Sequence, residues 1–163
     1  MTNPSQTNLQ NNNPFAQTEA EAEDRFKIYR SLDPFDDIEP ALLNSAHIYD
    51  YVAATGMIYP FDPENLKSAS YEVKVLGECV YWDEEGQKVV QNIKEGDQFF
   101  LRPNSIAFVT LEPMFRLPDY IALRFNLKIK NVYRGLLLGT GPLVDPGFVG
   151  RLSLPLHNLT TNE

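Results

Sequence analysis

From residue 70 onward the apolar residues lose their helical period and fall into short runs divided by glycine and proline. Candidate strands lie at 71–76, 79–82, 88–91, 98–102, 106–111, 121–130, 136–138 and 152–156, with Gly77, Gly86 and Gly96 marking the early turns. Many short strands at close spacing are the pattern of an antiparallel sandwich or barrel, so the expected fold class is mainly β. Upstream the pattern is helical. Thr18 and Glu21 have capping-box spacing and open a short helix to about residue 32, with Phe26, Tyr29 and Leu32 on its apolar stripe. The Asp-Pro-Phe-Asp-Asp run at 33–37 breaks it. A second helix runs from Asn44 or Ser45 to Thr55, with Asn44 as cap and Gly56 as stop. Residues 1–17 hold five Asn, three Gln and no charged side chain, too little apolar pattern to offset the entropy of ordering. The expected organisation is therefore a disordered tail (1–17), a helical extension (18–41) and one β domain (42–163).

Composition narrows the function classes. The 163 residues suit one domain, and no apolar run approaches the ~18 residues of a membrane span. No basic segment followed by an apolar core opens the chain, so a cytoplasmic location is the default expectation. The lone cysteine, Cys79, excludes an internal disulfide or a multi-thiolate zinc site. His47 and His157 lack ligand-like neighbours in sequence, so no metal ligands are assigned. A net charge of −8 argues against binding a nucleic-acid polymer, but it hides a split. Residues 18–98 carry 18 acids and 7 bases, a net of −11, and residues 99–163 carry 4 acids and 7 bases, a net of +3. Arg116, Arg124, Lys128, Lys130 and Arg134 lie within 19 residues, opposed only by Asp119. This is the signature either of a local anion site on an acidic body or of a solvated strand face.

Two segments carry chemistry. At 121–130 the odd positions are Ile121, Leu123, Phe125, Leu127 and Ile129, and the even ones Ala122, Arg124, Asn126, Lys128 and Lys130. A strand would bury the first set and display the second at intervals of about 6.6–6.8 Å, close to the span of a di- or triphosphate. Arginine offers a planar fork to phosphate oxygens, and lysine a point charge. At 139–150 the chain packs four of its nine glycines and two prolines around Asp145, the only acid between Asp119 and Glu163. A carboxylate on a stiff Gly/Pro loop is suited to hold a sugar hydroxyl or orient a water; an Asp-Pro turn that satisfies its own backbone is the alternative.

These residues resemble the dCTP deaminase/dUTPase superfamily, and its deaminase branch more closely. The run Val-Asp-Pro-Gly-Phe-Val-Gly at 144–150, followed by a strand and His157 and Asn158, resembles the motif after the family's base-reading hairpin. Arg124, Phe125, Asn126 and Leu127 stand in place of its Arg-Ser-Ser-Leu phosphate motif. Ser-Ala-Ser-Tyr-Glu-Val at 68–73 resembles its early Ala-Ser-Tyr-Asp-Leu motif, and 43–61 its N-terminal helix and strand. The resemblance spans roughly 42–158 in consistent order. It implies a distorted jelly-roll barrel, a homotrimer with sites between subunits, and a deoxycytidine or deoxyuridine triphosphate bound with Mg²⁺. It implies a water polarised by a glutamate in the deaminase branch, and a water held by an aspartate in the dUTPase branch. Carried onto this chain, the nucleotide-binding residues are Arg124, Asn126, Lys128, Asp145, Gly147 and Gly150, with Asp145 as the catalytic candidate. Phe125 and Asn126 replace the motif serines, and Glu72 replaces the early aspartate. Pro155 falls where the deaminase glutamate is expected, and proline transfers no proton. Family members continue past the His-Asn segment, so the resemblance implies a domain incomplete at its C-terminus. The expectation is thus a deoxynucleoside triphosphate-handling domain. Its alternatives are an inactive nucleotide-binding or sensing domain and a trimeric structural jelly roll.

Overall fold

Side-chain caps decide where the first two helices begin. The computed structural model describes residues 13–162. In α1 (Glu19–Tyr29) the Thr18 hydroxyl accepts from the Glu21 amide at 3.1 Å, and the Glu21 carboxylate accepts from the Gln17 amide at 2.8 Å. The helix ends three residues earlier than expected. Beyond it the chain serves tertiary contacts instead: the Arg30 carbonyl accepts from the Asp119 amide, and those of Tyr29 and Leu32 from the Tyr120 hydroxyl. Ala22 and Phe26 form the buried stripe, and Leu32 is exposed.

In α2 (Ser45–Thr55) the Asn44 side chain accepts from the His47 amide at 3.0 Å. Gly56 closes the helix at φ 65°, donating its N–H to the Val52 carbonyl. A Cβ on Gly56 would lie 2.5 Å from the Ala22 carbonyl oxygen, so this glycine also lets α1 and α2 meet. Most of the expected tail, residues 1–12, lies outside the described residues. Within 13–17 the expectation of no packing fails. Phe15 is buried, its ring centroid 4.6 Å from those of both Tyr49 and Phe61.

Then follow β1 (Ile58–Tyr59), a 3-10 turn at Pro63–Asn65, and the ribbon of β2 (Leu66–Lys67) with β3 (Ser70–Tyr71). The main sheet uses β4 (Val75–Trp82), β5 (Lys88–Ile93) and β6 (Ile106–Arg116). After β6 come β7 (Leu123–Arg124), α3 (Ile129–Tyr133), β8 (Leu136–Leu138), β9 (Leu143–Val144) and β10 (Val149–Asn158). The sheet is antiparallel in the order β5-β4-β6-β10-β8, with β1 pairing the far end of β6; β7 and β9 form a separate ribbon. The expected mainly β fold with short N-terminal helices is the one found.

Three strand expectations are corrected. Gly77 does not end a strand. At φ 107° it sits inside β4, where the register against β6 slips between Val75 and Cys79, so the glycine serves a bulge. Residues 98–102 form no ladder; Leu101 is a buried anchor, and Pro103 with Asn104 at φ 51° turns the chain into β6. Residues 121–130 form a strand only at Leu123–Arg124, and Ile129 and Lys130 belong to α3.

The core divides in two. One cluster joins α2, β1 and the ends of β6 and β10 through Val52, Ile58, Phe115, Leu117 and Leu152. The other holds Cys79, Ile93, Leu101, Ala107 and Val109. Cys79 is fully buried, and burial pushes its thiol pKa up. Among the described residues no helix is long and apolar enough to cross a membrane.

Candidate nucleotide site

The alternation at 121–128 survives without a long strand. Ile121, Leu123, Phe125 and Leu127 are half-buried, while Ala122, Arg124, Asn126 and Lys128 are exposed. Leu123 pairs with Val144, and both face the first core cluster. Arg124 pairs with Leu143 on the outward side. The Phe125 amide donates to the Pro142 carbonyl at 2.9 Å, extending the ribbon by one bond. The chain leaves β9 directly into Asp145, so the ribbon brings the Arg124 segment and the glycine loop side by side.

The loop is anchored from behind. Leu117 is 1% exposed; its amide donates to the Phe148 carbonyl at 2.8 Å, and its carbonyl accepts from the Gly147 amide at 3.0 Å. Gly147 sits at φ 80°, a conformation side chains resist. The Phe148 amide donates to the main-chain carbonyl of Asp145 at 3.3 Å, so backbone rather than carboxylate closes the turn. The Asp145 carboxylate is exposed and makes no hydrogen bond or ion pair among the described residues. The self-satisfied Asp-Pro turn is therefore not what forms. Gly150 is the second residue of β10 and pairs with Phe115 of β6.

The row of cations is shorter than the alternation implied. Arg124 is exposed, with no ion-pair partner among the described residues. Lys128 is bound to Glu72, Nζ to Oε2, at 2.5 Å, and this ammonium holds the Glu72 carboxyl below the usual range. Lys130 leaves the row because α3 starts there. Arg116 is buried and donates Nη2 to Glu19 Oε1 at 3.0 Å, so it is no part of an exposed anion surface. Asn126 is exposed, and its side-chain oxygen accepts from the Leu127 amide at 2.9 Å. That leaves its amino group as the side-chain donor. Pro155 lies in β10 opposite Phe108, and its carbonyl accepts from the Gly139 amide. No proton-transfer group occupies that position.

Asp119 was legible only as the acid amid the bases. Its Oδ1 would lie 3.3 Å from a Cβ built on Gly147, which puts it against the back of the loop. The Ser31 hydroxyl, then Arg30, holds its carboxyl below the usual range. Among the described residues no group of three His, Cys, Asp or Glu side chains could hold a metal ion. Two shallow clefts lie elsewhere, one beside Trp82 and Arg102, the other between α2 and the β2–β3 ribbon. Arg124 and Asp145 thus stand on an open surface of the single chain.

No protein-family model matches the chain. Curated relatives do. It is 30% identical over 107 residues to dCTP deaminase of Thermococcus kodakarensis, covering 66% of this chain and 64% of that protein. It is 31% identical to dCTP deaminase of Pyrococcus abyssi, covering 66% of each. The dUMP-forming dCTP deaminase of Dictyoglomus thermophilum is 25% identical over 119 residues, covering 63% of this chain and 61% of the relative. The chain belongs to the dCTP deaminase/dUTPase superfamily. It spans just under two thirds of the length of these relatives. The crystal structure of 2'-deoxycytidine 5'-triphosphate deaminase from Agrobacterium tumefaciens matches with a TM-score of 0.57 at 16% identity, covering 72% of this chain and 42% of that one. That match shows the fold, a mainly antiparallel dUTPase-like jelly roll.

Proposed function

We propose that this dCTP deaminase-like domain serves pyrimidine deoxynucleotide metabolism by binding a deoxycytidine or deoxyuridine triphosphate with Mg²⁺ and hydrolysing it. The observation that carries this reading is the β7–β9 ribbon, which sets the exposed Arg124 guanidinium beside the loop bearing the exposed Asp145 carboxylate. Arg124 grips phosphate oxygens through its planar fork. The Asn126 amino group adds a neutral donor, and Gly147 and Gly150 set the course of the loop that carries Asp145. Lys128 contributes charge from its pair with Glu72. Asp145 takes the proton from a water whose oxygen bonds to the α-phosphorus, and the bond to the departing pyrophosphate breaks.

The donor set fits a magnesium ion carried by the substrate, since that ion commonly takes one or two carboxylates together with phosphates and water. When bound it would supply charge neutralisation of the phosphates, held by the triphosphate oxygens and water, with the Asp145 carboxylate left to take the proton. An open site on one chain fits closure by neighbouring copies in a homotrimer, the assembly the family resemblance implies.

Pro155 favours a second reading, binding without turnover, because the deaminase glutamate position holds no titratable group. The test is incubation with dCTP and with dUTP plus Mg²⁺, the products being resolved by chromatography. Release of dUMP from dUTP, or of dCMP from dCTP, abolished by Asp145→Asn, is the expected result. Conversion of dCTP to dUTP overturns the reading of Pro155. Thermal stabilisation by nucleotide with no product selects the binding-only domain, and no stabilisation by either nucleotide leaves a structural jelly roll.

A further inference from the structure

The N-terminal extension reaches the candidate site through one short relay. The chain from Leu117 to Asp119 has the glycine loop on one side and the end of α1 on the other. On the loop side Leu117 exchanges two main-chain hydrogen bonds, with Gly147 and Phe148, at 3.0 and 2.8 Å. On the helix side the Asp119 amide donates to the Arg30 carbonyl at 2.8 Å. The Ser31 hydroxyl donates to Asp119 Oδ2 at 2.6 Å, and Arg30 Nε lies 3.5 Å from Oδ1. Tyr120, next along, donates its hydroxyl to the Tyr29 carbonyl at 2.9 Å. The same Oδ1 stands against Gly147. A carboxylate held at both oxygens is a fixed wall; a free one would sweep the space that Gly147 borders.

We propose that Asp119, held by Ser31 and Arg30, is a positioning residue that fixes the Asp145–Gly150 loop relative to Arg124, making the N-terminal extension a structural part of the nucleotide site. The inference rests on the proposed nucleotide binding for its functional consequence, but not for its structural one. It assigns a role to residues 30–32, a segment outside both helices. The arrangement needs an acceptor on Asp119 for the Ser31 hydroxyl more than it needs a charge. Ser31 and Asp119 are themselves exposed, so removing either side chain leaves both core clusters intact.

The experiment compares Ser31→Ala, Asp119→Ala, Asp119→Asn and Arg124→Ala in the full chain. It measures the Kd for α,β-imido-dUTP with Mg²⁺ and amide hydrogen exchange. Ser31→Ala and Asp119→Ala are expected to weaken binding on the order of tenfold, the scale of losing one hydrogen bond to a charged acceptor. Asp119→Asn keeps an oxygen for Ser31 and is expected to restore most of the affinity. Exchange at Gly147 and Phe148 should quicken in the two alanine variants while β6 and β10 stay protected, a split that general destabilisation would not produce. If Arg124→Ala weakens binding but Ser31→Ala and Asp119→Ala do not, the positioning role is overturned. If Arg124→Ala itself leaves binding unchanged, the nucleotide reading fails. The relay then stands on faster exchange at Gly147 and Phe148 in Ser31→Ala, and falls if that exchange is unchanged.

Discussion

β6 and the segment at 121–128 turn alternate side chains inward and outward in the same way, yet they end in different structures. β6 runs eleven residues, with β10 along one side and β4 then β1 along the other. The second segment makes a two-residue ladder with β9 and then bends into α3. Burial alternates in both. Period-two patterning therefore chooses which side chain turns inward, while a neighbour with free N–H and C=O groups decides whether a strand forms. Around residue 124 the neighbour is the glycine loop. Pro142 and Pro146 lack the N–H a ladder needs, so Leu143 and Val144 are all it offers. Residues 126–130 are thereby left outside any sheet.

The contrast can be broken by substitution. The largest effect is expected for Leu111→Asp in β6, where a carboxylate would enter a site 6% exposed. The cost of several kcal/mol is comparable with a typical total stability of about 5–15 kcal/mol, so circular dichroism should report loss of the fold. Leu127→Asp, the equivalent change on the inward side of the other segment, should cost only about 1 kcal/mol in urea titration, because Leu127 is half-buried and outside both core clusters. An unfolded Leu127→Asp protein would mean that the two segments are equally structural. Arg124→Ala should change stability by less than about 0.5 kcal/mol while weakening nucleotide binding, measured by calorimetry with dUTP and Mg²⁺.

The smallest effect is the pH response of the Lys128 pair. Lys128 lowers the folded pKa of Glu72 below its ordinary 4.5. The stabilisation is full above 4.5 and drains away as pH falls through the lowered value. Lys128→Met should return the Glu72 titration, followed by nuclear magnetic resonance, toward 4.5.

Local chemistry was the legible part. Asn44 and Gly56 mark both ends of α2 because caps satisfy backbone groups within a few residues. The start of α1 was legible for the same reason. Its end was not, because the carbonyls at 29, 30 and 32 are claimed by Asp119 and Tyr120 from far along the chain. Gly77 misled because turns and bulges both draw on positive φ. Within the site, Arg124 and Asp145 stood out by residue type. The capture of Lys128 by Glu72, and the place of Asp119 behind Gly147, depend on how distant segments dock. The packing of Phe15 was not legible because its partners, Tyr49 within α2 and Phe61 beyond it, lie far along the chain.

Cys79 gives the molecule a built-in clock. It is the chain's one sulfhydryl, carried on β4 and buried in the cluster of Ile93, Leu101, Ala107 and Val109, and an aqueous alkylating reagent meets it only when that cluster opens. The pace of its alkylation counts openings of the second core, the Leu101 segment that covers it included.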